Sequence, residues 1–583
     1  MRGGRTISAL AARDVRVVQR ERDLDQRIYD GTLTAVIFLR DVRVGDVVDY
    51  AFTSAGSDPM LGGKYVASFE VADSTFTAAL RRRIVMPVAR SLTVKSHGID
   101  LQPKVSEGGA WREYLWERRD VAPIESDDAL PGWFDDRPWV EASEFGSWAE
   151  VAALFDRLFT PRRQPSAAMA AEIARLRAAG ATSDERLLEA TRFVQDEIRY
   201  LGLEIGLSRH KPFEPSEVLA RRFGDCKDKA NLLVAMLGAL GVPARAALVN
   251  THHGRGIDDS LPSPLAFNHA IVEASVDGQR TFIDPTVSYQ RGPLSSRPPP
   301  DFERALIVAG DSQGLVSIPR PAPTEPTIAV REVFVLSDDG RSADLQVETT
   351  LRQDDADAMR ERLARVGLKE LSRDYLNYYA KEDATVSLEA ELQTTDDERR
   401  NILVMREHYR LGRFWQDAKR EFRVAALDGR IEDPHIRLRK MPFALEFPLA
   451  ISQTTIVRLP TPPSVEPDAA QFGDKNIRFT FAANTEANDL VIKYDLRTLS
   501  DTVAPENARQ FFAVLDEIRE RTGYVLHQPS ARPGDDRTPP SPPRGVPGFL
   551  GFSGFIVVAI LGVRRYVRSA RRRAVKRETN LLN

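Results

Sequence analysis

Cys226 is the only cysteine in a chain of 583 residues, and it lies in the stretch Phe223-Gly224-Asp225-Cys226-Lys227-Asp228-Lys229. Ala230, Leu233, Val234, Leu237 and Leu240 follow at helical spacing, and Gly241 with Pro243 ends the run. The pattern predicts a helix that begins at the cysteine. A thiol in the first turn of a helix faces unsatisfied backbone N–H groups and the positive end of the macrodipole, and both favour the nucleophilic thiolate. Lys227 and Lys229 act in the same direction, Asp225 and Asp228 against it. A lone cysteine is equally at home as a small buried hydrophobe, so the local sequence leaves both readings open.

A second set of chemical groups lies downstream. Phe267-Asn268-His269-Ala270-Ile271-Val272-Glu273-Ala274 reads as a strand, Asp277-Gly278 as a two-residue hairpin turn, and Arg280-Thr281-Phe282-Ile283-Asp284-Pro285-Thr286 as the return strand. With Asp277-Gly278 at the turn, Val276 faces Gln279 and Ile271 faces Asp284. His269 is then the diagonal, same-face neighbour of Asp284, within reach of a His–carboxylate hydrogen bond. Such a carboxylate orients the imidazole, holds its tautomer and leaves the other ring nitrogen for a thiol.

Gly224-Asp225-Cys226-Lys227-Asp228-Lys229-Ala230, then Asn268-His269-Ala270, then Asp284-Pro285-Thr286 resembles the transglutaminase-like branch of the papain-fold cysteine enzymes. The resemblance runs from about Ser183 to Thr286 and rests on three separate motifs in the right order. It implies that Cys226 is the nucleophile, His269 the general base and acid, and Asp284 the residue that orients the histidine. The implied reaction is acyl transfer through a thioester, on a peptide or glutamine side-chain carbonyl of a peptide or protein substrate. The triad needs no cofactor. Tyr200 is either an oxyanion donor beside the backbone N–H of Cys226 or a structural tyrosine. A metal site built from Asp225, His252, His253 and His269 has no supporting ligand spacing.

The elements expected to position these groups make a multidomain α+β protein: a papain-like transglutaminase core between two β-rich, sandwich-like domains, followed by one C-terminal transmembrane helix. Residues 1–160 read as the N-terminal β-rich domain. Strands are expected at Thr34–Leu39 and Val47–Phe52 around a turn at Arg43–Asp46, with further segments at Ser91–Val94 and Glu113–Trp116. This stretch is similar to the uncharacterised β-rich domain that precedes the transglutaminase-like core in many bacterial proteins, on Leu39-Arg40-Asp41-Val42-Arg43-Val44-Gly45-Asp46-Val47-Val48 and Phe145-Gly146-Ser147-Trp148. In that family the domain ordinarily begins further upstream, often behind a signal peptide. Met1-Arg2-Gly3-Gly4-Arg5 opens without an apolar segment, so the domain reads as truncated at its start, with a start codon placed too late as the favoured explanation.

The core is expected over 165–310, with helices at Ala167–Ala178 and Thr182–Tyr200, the latter opened by a Thr182/Glu185 capping box. The polar loop Asn250–Leu265, bearing His252-His253, Gly254, Gly256, Asp258 and Asp259, is expected to rim the cleft. It offers no aromatic lining, and no tryptophan lies between Trp148 and Trp415. Both features favour a wet cleft and water as the acyl acceptor over an amine. The second β-rich domain is expected over 327–525, with a hairpin around Asp338-Asp339-Gly340, a helical insert at Asp354–Ala380 whose charges form a solvated face, and a last helix at Glu506–Thr522.

Residues 528–544 read as a Pro-, Arg- and Asp-rich tether. Residues 545–563 carry no charge and are just long enough to span a bilayer. Eight basic residues follow in the 564–583 tail, from Arg564 to Arg577, which places that tail in the cytoplasm and the body outside, in the periplasm. A formal net charge of −3 gives no reason to expect nucleic acid, and a single cysteine excludes an intrachain disulfide and a Cys-based zinc site. A second reading keeps the fold and discards the chemistry: a non-catalytic envelope protein that binds peptide or serves as a structural module.

Overall fold

The computed structural model describes residues 1–528, apart from 9, 21–23, 25–26, 162–163, 204–205, 428, 431–433 and 462–464. The tether from 529, the expected span at 545–563 and the basic tail lie outside the described residues. Among the described residues no helix is long and apolar enough to cross a membrane. The architecture is α+β and multidomain.

Two three-stranded antiparallel sheets form the N-terminal β-rich region. One orders Val66–Glu70, Trp139–Ser143 and Thr93–His97; the other orders Thr77–Pro87, Trp111–Val121 and Lys104–Gly108. Alternating side chains from both sheets meet in one core of Phe69, Ile84, Met86, Tyr114, Trp116 and Val140, and the Trp116 ring packs edge-on against Phe69 at 5.2 Å. Leu33–Ile37 is a strand, but its partner is Val15–Gln19, not the expected strand at Val47–Phe52. The Arg43–Asp46 turn forms, yet Val47, Val48, Tyr50 and Phe52 remain exposed and outside any strand. Alternation alone does not make a strand where no facing surface buries one side.

The core stacks helices on one antiparallel five-stranded sheet, ordered Gln279–Ile283, His269–Val276, Ala244–Val249, Arg304–Ile307 and Leu315–Ser317. The helices are α1 (Trp148–Phe159), α2 (Ala167–Ala179), α3 (Ser183–Glu197), α4 (Pro215–Arg221) and α5 (Cys226–Leu240). The period-two pattern buries both sheet faces. Ala246, Leu248, Ala270, Val272 and Ala274 pack with α5 residues such as Leu233 and Leu237, while Ala247, Val249 and Ile271 join Phe282 and Ile307 on the other side. Each fully buried leucine or valine here contributes roughly 1.5–3 kcal/mol relative to exposure.

The C-terminal region is built on an eight-stranded sheet running from Val386–Asp397 at one edge to Asp468–Gly473 at the other. Neighbouring strands are antiparallel except Ile328–Leu336, which pairs in parallel with Ala450–Arg458. Three helices accompany it: α6 (Gln353–Val366), α7 (Leu368–Glu382) and α8 (Pro505–Glu520). The expected single insert at Asp354–Ala380 is thus two helices, divided at Gly367 with φ of 80°, a value glycine adopts freely. Its charges form a solvated face only in part: Glu361, Arg365, Lys369, Glu370 and Arg373 are exposed. Asp355, Asp357, Arg360 and Arg362 are buried, because α6 packs against the segment that follows Asp284: Asp357 Oδ1 accepts the Arg291 N–H at 3.2 Å.

Candidate active site

The chain reaches Cys226 through a tight corner. A Cβ on Gly224 would lie 2.6 Å from Asp228 Cβ, so only glycine fits. Asp225 then caps α5: its Oδ1 accepts the Asp228 N–H at 3.1 Å, and Asp228 Oδ2 accepts the Asp225 N–H at 3.3 Å. This reciprocal cap fixes the first turn, and with it the thiol. Asp228 also accepts the Phe213 N–H at 2.8 Å and Arg221 Nη2 at 2.7 Å. Burial and the neighbouring Asp225 charge nevertheless push its carboxyl up to about 6.

Both lysines beside the cysteine have partners of their own. Lys227 pairs with Asp225. Lys229, 1% exposed, donates to Ile198 O at 2.6 Å and Gln195 O at 3.3 Å, at the negative end of α3. Burial lowers it to about 8 against the opposing charges of Asp284 and Asp196.

The Asp277-Gly278 hairpin forms in the expected register, with Val276 opposite Gln279 and Val272 opposite Ile283. The return strand ends at Ile283, and Asp284 sits one residue beyond it. His269 Nε2 and Asp284 Oδ2 are 2.9 Å apart, and both residues are buried. Asp284 Oδ1 accepts the Thr286 hydroxyl at 2.6 Å and the Thr286 N–H at 2.9 Å.

Burial works against a charged imidazole. The Asp284 charge and hydrogen bond, with a hydrogen bond to Cys226, outweigh it and raise His269 to about 9. Burial likewise opposes the Asp284 carboxylate, but His269 and Thr286 hold it well below the usual carboxylate range. One buried ring therefore serves Asp284 and the Cys226 side chain together, a geometry suited to moving a proton to and from sulfur. Phe302 closes one side, its ring edge-on to His269 at 5.5 Å.

Cys226, His269, Asp284 and Tyr200 all line one cleft of about 2010 Å³. Tyr200 lies on a two-residue strand, Arg199–Tyr200, paired in parallel with Phe223–Gly224, so that it stands opposite Gly224 and beside the cysteine corner. The Asn250–Leu265 loop does rim the cleft. It is pinned on three sides: Arg255 bonds Glu303 and Asp501, Asp259 bonds Lys95 and His97, and the Leu261 N–H reaches Glu141 Oε1 at 2.8 Å.

The expectation of a cleft without aromatic residues is corrected. Trp133, Phe267 and Phe302 line it, and Arg255 lies over the Trp133 ring at 4.5 Å. Trp133 comes from outside the core, where the local sequence around the loop gives no sign of it. Sequence reasoning also missed Gln195, whose Nε2 donates to Asp284 O at 2.9 Å, and Thr286, which the Asp-Pro-Thr spacing could have revealed as a turn cap.

Residues 168–283 match the family model described as the transglutaminase-like superfamily, and residues 1–125 match a Domain of Unknown Function, DUF3857. No curated protein matches. Among solved structures, a candidate protease from Parabacteroides distasonis shares 12% identity, covering 88% of this chain and 85% of its own, with a TM-score of 0.60; at that identity the likeness shows the fold. A candidate cysteine protease from Cytophaga hutchinsonii (13% identity, 38% of this chain and 71% of its own) has a TM-score of 0.17. The periplasmic domain of TgpA from Pseudomonas aeruginosa (14%, 40% and 84%) also has a TM-score of 0.17, and neither of these bears on the present chain. Residues 168–283 of this chain form a transglutaminase-like domain, and a DUF3857 domain lies ahead of it at residues 1–125.

Proposed function

We propose that the chain is a cysteine hydrolase that cleaves a peptide or amide bond through an acyl-enzyme on Cys226. The observation that carries this reading is the shared imidazole, with Nε2 on Asp284 and the Cys226 side chain bonded to the same ring. The thiol proton passes to the His269 ring, leaving Sγ as the nucleophile. Attack forms the S–C bond, and the imidazolium protonates the departing amine as the C–N bond breaks. Water then gives a proton to His269 and attacks the thioester; the C–S bond breaks and the acid leaves. Asp284 keeps the ring oriented and stabilises its charged form. The backbone N–H of Cys226 and the Tyr200 hydroxyl are the proposed oxyanion donors.

Water is the proposed acceptor because the cleft is roomy and its wall carries charged groups such as Arg255, Glu303 and Asp301, whereas protecting a thioester for an amine calls for a dry, closed tunnel. Peptides bearing glutamine, supplied with excess primary amine, test both steps. Release of acid with Cys226 acylated supports the reading. Predominant amine incorporation overturns hydrolysis, and inertness of a rapidly folded, intact protein toward every amide tested favours the binding-module alternative.

The sequence also supports a place for this activity. The uncharged 545–563 run followed by basic residues leads to the proposal of a single-pass anchor, with the tail cytoplasmic and the body periplasmic. Removal of residues from 545 onward is expected to free the protein from membranes with its melting midpoint unchanged; retention in the membrane fraction would refute the anchor.

A further inference from the structure

Arg297 follows the short turn Leu294–Ser296 and lines the same cleft as Cys226 and His269. Its Nε donates to Gly292 O at 3.0 Å and its Nη2 to Gln290 O at 3.4 Å. Among the described residues no carboxylate lies within ion-pairing distance of it. The two acids whose charge it feels are bound to other arginines, Asp196 to Arg291 and Asp357 to Arg360, each at 2.9 Å. Elsewhere in the cleft wall Arg255, Arg304 and Arg320 each meet a carboxylate. Burial, with Arg192 and Arg291 adding repulsion, pushes Arg297 down to about 10 against the pull of Asp357 and Asp196. A half-buried guanidinium without a matched anion is a costly feature to keep unless an anion arrives.

A short relay joins this group to the chemistry. Gln195 Nε2 donates to Asp284 O at 2.9 Å and to Gln290 Oε1 at 3.1 Å, and Gln290 O accepts from Arg297. We infer that Arg297 anchors a carboxylate carried by the substrate, so that the enzyme proposed above prefers peptides presenting an acidic group near the bond attacked. The Nε edge of the guanidinium is already used, which leaves the Nη end for one carboxylate in a forked pair. Asp196 and Asp357 nearby disfavour a dianion such as phosphate. The carboxylate comes from a free peptide C-terminus or from an aspartate or glutamate side chain.

This substrate preference rests on the Cys226 reading, but its test does not need the chemistry. The full chain carrying Cys226→Ala is titrated calorimetrically with one acetylated hexapeptide in three forms: a neutral C-terminal amide, the free C-terminal acid, and an amide with an internal glutamine replaced by glutamate. One or both carboxylate forms are expected to bind about tenfold or more tightly than the neutral peptide, as a desolvated charged pair requires, and the stronger one names the source. Adding Arg297→Gln is expected to abolish that preference with the neutral peptide unaffected, and Arg297→Lys to retain part of it. Equal binding of the three peptides, binding of none, or a preference that survives Arg297→Gln overturns the inference. Should Arg297→Gln fail to fold, as read by its melting midpoint, Arg297→Lys decides: an unchanged preference overturns the proposal. Iodoacetamide alkylation of the unsubstituted chain reports separately on the Cys226 reading.

Discussion

Two buried histidines in this molecule each hold a carboxylate, and only one of them faces a thiol. His97 lies 2.7 Å from Glu141 in the N-terminal sheet, and His269 lies 2.9 Å from Asp284 in the core. The His97 ring stacks on Trp139 at 4.1 Å, and its second nitrogen lies 3.3 Å from Asp259. Both of its nitrogens therefore meet carboxylates, and the ring works as a clamp between the sheet and the 250–265 loop. The His269 ring has the same first partner and a sulfur as its second. A His–carboxylate pair is thus common structural material; the third group, placed by the start of a helix, decides whether it can do chemistry.

The comparison breaks most sharply at the thiol. Cys226→Ala is expected to abolish acyl transfer with the fold retained, and His269→Ala to lower turnover by roughly 10²–10⁴-fold, the usual contribution of a general acid–base. His97→Gln leaves iodoacetamide alkylation of Cys226 unchanged; a comparable loss from both histidines would erase the distinction.

Asp284→Asn comes next, and its signature is in pH. With Asp284 in place, His269 stays protonated up to about pH 9, so the alkaline limb of turnover is expected there. Without the carboxylate, only the contact with Cys226 still opposes burial, and the limb moves to lower pH. Stability follows the same sign. The raised value of His269 contributes stability in full below 6.5 and loses it as pH climbs to about 9. The depressed value of Asp284 contributes above its ordinary 3.8 and is lost as pH falls further. The difference in melting midpoint between parent and Asp284→Asn should therefore shrink between pH 6.5 and 9; a constant difference contradicts the assignment.

Gly224→Ala tests the corner beneath the thiol. The added methyl collides with Asp228, at an expected cost of roughly 1–3 kcal/mol, read by denaturant midpoint together with slower alkylation. The smallest effect belongs to the clamp. His97→Gln is expected to cost about 1 kcal/mol by disturbing the contact with the buried Glu141 carboxylate and to make 250–265 the first segment cut by protease.

Locally written features were legible. Asp277-Gly278 sets a register, and that register is what places His269 beside Asp284; the helix start at Cys226 and the Thr182/Glu185 capping box are equally local. What the sequence could not announce depends on distant surfaces. Asp357 and Arg360 look like solvated helix charges until Arg291 and Asp396 are brought against them. Val47–Phe52 has the alternation of a strand but no surface that buries one side of it. Trp133 enters the cleft from a separate region. Lys229 stands three residues after the cysteine, yet only the packing of α3 tells which way it turns.

The 250–265 loop has a mechanical consequence. One segment carries Arg255 to Asp501 in the C-terminal region, Asp259 to Lys95 in the N-terminal region, and Asn250 back to Ala266 in the core. It ties three regions together at the rim of the cleft that holds the thiol. Any displacement of one region against another therefore strains this strap together with the contacts of Asp127 and Asp128 to Lys440 and Arg439, which join the N- and C-terminal regions a second time.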